Sequence, residues 1–146
     1  MSNKRKLVLG LLVVFTIVIT GGWYAYHRTV TIVHNCYAVE WVAGMCINHM
    51  QAESGAWPKG WDDLQDDYEA LTKASGRPWT FDELRSRVVV DWNADSKQLA
   101  ALAKKSEPFR VLRLTDGTTS HWQGSEPNEM LAEYFRNPDS DSYAIR

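Results

Sequence analysis

The run Leu7–Tyr26, LVLGLLVVFTIVITGGWYAY, holds twenty residues without a charge and constrains the fold more than any other stretch. As a helix rising about 1.5 Å per residue it spans roughly 30 Å, the thickness of a bilayer's hydrocarbon core. Lys4-Arg5-Lys6 precedes it, which favours a cytoplasmic N-terminus, and Arg28 follows it. Trp23, Tyr24 and Tyr26 gather at the far end, where an interfacial aromatic belt would lie. The expected layout is a basic cytoplasmic head over residues 1–6, a transmembrane signal anchor over 7–26, an exported domain over 29–136 and a polar tail over 137–146. In a bacterial cell that layout corresponds to the cytoplasmic (inner) membrane, with the C-terminal domain on the exported side. The alternative is a cleaved signal peptide, since Thr20 and Gly22 are small enough for a cut after Gly22. Against it, the apolar run continues through the aromatics and no A-x-A pattern occurs.

Beyond Arg28 the chain carries twelve basic and eighteen acidic residues, a net charge of −6. Nucleic acid and anionic lipid headgroups call for a basic surface, so neither is an expected partner. Cys36 and Cys46 would face an oxidising compartment. Ten positions along one helix separate them by about 15 Å, whereas a disulfide needs Cα atoms within about 7 Å. If the segment is helical, the two do not pair with each other.

Residues 29–54 show a helical stripe of Ile32, Cys36, Val39, Ala43, Cys46, Ile47 and Met50. Trp41 and Met45 fall on the opposite, otherwise polar side, which makes them candidate interaction residues. Continuous with the anchor, this segment would make one rod of about fifty residues, roughly 75 Å long, with Gly21-Gly22 as the place for a bend. Gly55 suits a helix C-cap, and Pro58 keeps the helix from resuming. Trp57 and Trp61 bracket that proline in GAWPKGWDDL. They read as a clamp sealing the junction between two helices, with an aromatic ligand platform as the rival.

A short helix follows with Trp61, Leu64, Tyr68 and Leu71 in apolar spacing, and Asp62 and Asp63 in its first turn. Thr80 and Glu83 spell a capping box for a third helix. Val88–Trp92 and Phe109–Leu114 read as strands; 97–105 can form a helical turn. Asp116-Gly117 predicts a hairpin returning over Thr118–Gln123, and Ser125-Glu126-Pro127 opens a terminal helix. The fold class is α+β: an N-terminal transmembrane helix continuing into an amphipathic helix packed on a small three-stranded antiparallel sheet with short helices.

No catalytic, cofactor or metal assignment emerges. DDLQD at 62–66 matches a diphosphate-binding pattern, but no second metal motif accompanies it, and the four aspartates Asp62, Asp63, Asp66 and Asp67 lack EF-hand spacing. They read as a solvated acidic face. Cys46 and His49 lie i and i+3, within reach of each other, yet nothing nearby in sequence orients them or forms an oxyanion hole. The other histidines are dispersed, and Ser120 and His121 point to opposite faces of a strand.

The segments WPKGWDDL (57–64), FDELRSRVVVDWNAD (81–95), FRVLRL with DG (109–117) and HWQGSEPNEML (121–131) resemble a group of small, uncharacterised membrane-anchored bacterial proteins of planctomycete type. The resemblance implies an anchor and no activity. More loosely, the architecture is similar to type IV pilins and type II secretion pseudopilins, in which a hydrophobic helix becomes amphipathic and ends near a glycine–aromatic–proline break before a small sheet. The prepilin signal places glutamate at the fifth position of the run, and the sequence after Gly10, LLVVF, holds none. The expected function is therefore a single-pass, non-catalytic protein-interaction domain. The alternatives are a self-associating, pseudopilin-like structural subunit and a small-ligand module using Trp57 and Trp61.

Overall fold

The computed structural model describes residues 3–75, 79–118 and 126–139, with side chains described from Gly10 onward and, in the first block, up to Lys73. Its elements are α1 (Asn3–Ala52), a 3₁₀ turn (Trp61–Leu64), α2 (Gln65–Ser75), α3 (Phe81–Arg87), β1 (Val88–Val90), α4 (Ser96–Lys104), β2 (Leu112–Leu114) and α5 (Pro127–Arg136). The chain divides into two compact units, Met1–His34 and Asn35–Arg146.

In the first unit α1 carries an almost unbroken apolar sequence. Helical hydrogen bonding continues through Gly21-Gly22. The hydroxyls of Thr16, Thr20, Thr29 and Thr31 each donate to the carbonyl four residues back, so the helix satisfies its own polar side chains. Large side chains from Leu11 to Tyr26 are 53–68% exposed.

The second unit is built around the remainder of α1. Seven consecutive residues, Trp41 to Ile47, are buried, so the helix is enclosed on every side instead of on one stripe. This corrects the reading of Trp41 and Met45: they are 1% and 0% exposed and belong to the core. The helical wheel located an apolar face correctly, but it could not show that other elements also cover the face opposite. Leu64, Leu71, Leu84, Val88, Leu99, Leu112 and Leu131, drawn from every later element, join α1 in a single core.

Local signals set the boundaries. Met50 O accepts a 2.6 Å bond from Gly55 N as α1 ends, and both Ser54 (φ 54°) and Gly55 (φ 86°) are left-handed. That six-to-one bond is Schellman-type closure, with Ser54 in the position usually given to glycine. α4 ends in the same manner: Glu107 N reaches Leu102 O at 3.0 Å, with Ser106 at φ 57°. Thr80 and Glu83 complete the expected capping box at the start of α3, and Asp95 caps α4. Pro127 occupies the first turn of α5, where its missing N–H costs nothing.

The sheet has two strands among the described residues. β1 and β2 are antiparallel, with Val88 opposite Leu114 and Val90 opposite Leu112. Gly117 is left-handed as the turn signal requires (φ 70°), but the return strand expected over Thr118–Gln123 lies, beyond Thr118, outside the described residues. Asn128 serves β2 as a surrogate neighbour. Its Oδ1 accepts from Val111 N and Leu112 N, both at 2.9 Å, and its Nδ2 donates to Leu112 O at 3.1 Å and to Glu126 Oε1 at 2.7 Å. The side chain is 5% exposed and uses its full bonding capacity. Asn128→Ala should cost about 3 kcal/mol in a denaturation of the detergent-solubilised chain, because two buried backbone N–H groups lose their acceptor. A loss under about 1 kcal/mol would mean that the strand finds other partners.

Candidate functional site

The GAWPKGWDDL segment packs along the core because Pro58, itself fully buried, turns the chain across it. Trp57 goes inward: it is 6% exposed, and its Nε1 donates 2.9 Å to Asp91 O at the end of β1. Trp61 stays half-buried and meets Phe81 and Trp92 edge-on, with centroids 5.7 and 5.4 Å away. Tyr68 adds a tilted contact with Phe81 at 5.1 Å and donates its hydroxyl to Trp79 O at 2.6 Å. The two tryptophans therefore form no shared flat platform. One plugs the core and the other leads an aromatic cluster that staples the 3₁₀ turn, α2 and α3 onto β1. Arg85 lies 6.0 Å from the Phe81 ring on the outer side of that cluster.

Cys46 and His49 acquire a neighbour that their sequence positions do not reveal. Asp67 Oδ2 of α2 lies 3.8 Å from His49 Nδ1, and the Asp67 charge also acts on Cys46. Only the meeting of α1 with α2 creates this, because the residues are far apart in sequence. The surroundings of Cys46 do not activate its thiol. Cys46 is fully buried, and burial, reinforced by the nearby Asp67 charge, pushes its thiol far above the ordinary range. A reactive cysteine needs the opposite, a thiolate stabilised by positive surroundings. Cys36 is half-buried and Cys46 buried, and the two form no disulfide with each other, as their placement on one helix requires.

Of the four aspartates, Asp62, Asp63 and Asp66 are exposed and Asp67 is half-buried. Asp63 Oδ2 accepts from Lys59 N at 2.7 Å, closing the turn before the 3₁₀ segment. No group of three or more metal-ligating side chains occurs among the described residues. Two polar features escaped sequence reasoning. Arg87 Nη1 donates 2.8 Å to Asn35 Oδ1 while its guanidinium lies 5.5 Å from the Trp79 ring. Asn35 Nδ2 in turn donates 3.2 Å to Asp116 Oδ2, and bonds from the Thr118 backbone and hydroxyl hold the Asp116 carboxyl below its usual range. A lone polar residue on an apolar helix turn was the available signal. The other is Trp41 Nε1, which is buried and has no acceptor among the described residues.

Two measurements check this account. In native membranes a small maleimide should label Cys36 and leave Cys46 unmodified until denaturant is added; prompt double labelling would contradict the enclosed helix. Burial raises the Asp67 carboxyl above its usual range; Asp66 adds to the shift and His49 opposes it. An acid with a raised folded pKa contributes stability below its unfolded value and loses that contribution as pH rises through the folded one. Asp67→Asn should therefore gain on the native chain as pH goes from about 4 to about 7, read as the difference in urea midpoints. An offset equal at both values would remove the shift. No protein-family model, no curated protein and no solved structure matches this chain.

Proposed function

We propose that the chain is a single-pass membrane protein, N-terminus inside, that holds a non-catalytic protein-interaction domain on the exported side of the bacterial cytoplasmic membrane. One observation carries this reading: the large apolar side chains from Leu11 to Tyr26 are all more than half exposed, whereas the helix from Trp41 to Ile47 is sealed. Among the described residues α1 alone is long and apolar enough to cross a membrane, though a signal sequence passes the same test. Lipid is the partner that such a surface fits by length and polarity. Trp23 packs on His27 with centroids 4.5 Å apart and Tyr26 on His27 at 5.8 Å, an aromatic group suited to the headgroup layer. The burial of Cys46, which raises its thiol well above the ordinary range, favours a non-catalytic role. With Trp41 and Met45 in the core, the partner-facing surface is the half-exposed rings of Trp61, Phe81 and Trp92.

A pseudopilin-like structural subunit is the second reading. It is favoured by the unbroken passage of α1 from apolar residues into the core and by its end just before Gly55, Trp57 and Pro58. That reading expects a ladder of self-adducts when membranes are cross-linked, and the interaction domain expects none. For the anchor itself, the full chain should stay with the membrane through alkaline carbonate. Val14→Arg with Ile17→Arg should release it, since each charge costs roughly 2.5–3.5 kcal/mol at the bilayer centre. A soluble product whose N-terminal sequence begins after Gly22 would establish the cleaved signal peptide instead.

A further inference from the structure

The end of α1, the first turns of α4 and the last turns of α5 frame an open cleft of about 450 Å³, within the range of small-molecule sites. Its walls are largely apolar, made by Ala56, Ala100, Phe135 and Pro138 with the flank of Tyr134. Among the described residues Lys97 is the one charged side chain lining it. That ammonium has no ion-pair partner among the described residues; the nearby Asp95 carboxylate is engaged in capping, accepting from the Lys97 backbone N–H at 2.9 Å. Ser54 and Ser96 add hydroxyls at the rim, Ser54 from the left-handed turn that closes α1. Among the described residues no carboxylate lines the cleft, although the domain as a whole is acidic and the Asp139 charge acts on Tyr134. A cationic guest would meet Lys97 without compensation, and an uncharged apolar one would leave the ammonium and hydroxyls unused.

We propose that this cleft binds a small amphiphilic monocarboxylate, its apolar body against Ala56, Ala100 and Phe135 and its carboxylate against Lys97. The proposal is independent of the anchor and of any protein partner, and it places ligand binding away from Trp57 and Trp61. Apolar contact supplies most of the affinity, because an exposed ion pair contributes little, and Lys97 selects the sign of the charge.

Phenylacetate is the probe, with phenethylamine as its charge-reversed control, added to the full chain in lipid nanodiscs. The readout is the NMR signals of labelled alanine methyls. Phenylacetate should shift Ala56 and Ala100 saturably while phenethylamine does not. Lys97→Met, at an exposed position, should weaken binding about fivefold, and Lys97→Arg should largely keep it. Ala100→Leu, which fills the cleft, should abolish it. Absent shifts, equal shifts with the amine, or affinity untouched by Lys97→Met would each overturn the proposal.

Discussion

The enclosure of α1 between Ala38 and Met50 is the constraint on which the rest of the structure depends. A helix buried on all sides must be met by apolar side chains from all directions, and no single later element could supply them. The chain answers with many short pieces, each giving one or two residues: Leu64 and Leu71, then Leu84, Val88, Leu99, Leu112 and Leu131. Pieces this short have little stability alone, since isolated helices of such length are marginal in water. Their order comes from the surface they cover.

Directional bonds fix how those pieces lie. Asn128 ties α5 to β2, Arg87 ties α3 to Asn35 of α1, and Arg136 ties α5 to the end of α4 through Ala103 O at 3.2 Å. Each crosses between elements that hydrophobic contact alone would leave free to slide. The aromatic group of Trp61, Phe81, Trp92 and Tyr68 does the same on the outside, because aromatic pairs favour particular edge-on or tilted arrangements. The same enclosure makes Cys46 unsuited to nucleophilic chemistry: the core that shields the thiol also denies it a stabilised thiolate.

Much of this was legible in advance wherever a signal is local. The capping box at Thr80 and Glu83, the proline opening α5, the left-handed Gly117 and the stop after α1 are written in a few adjacent residues and appear where expected. Trp57 shows the limit. Its neighbours foretell a break with a ring beside it, but not that its Nε1 finds the Asp91 carbonyl. Trp41 shows the failure. A wheel drawn on one helix assigns a face by its neighbours on that helix, and whether the opposite face is wet depends on segments elsewhere in the chain.

By itself, then, the sequence determined the apolar span, the capped helix ends and the place of two strand segments, because each rests on hydrophobic period, backbone φ preference or capping within a few residues; that those two strands pair with each other was decided by the tertiary structure. Tertiary structure alone decided that Trp41 and Met45 are core, that Asp67 meets His49, that Asn128 completes the edge of β2, and that Lys97 stands over an apolar cleft. Each of these depends on groups brought together from separate elements, where packing and desolvation, not local preference, set the outcome.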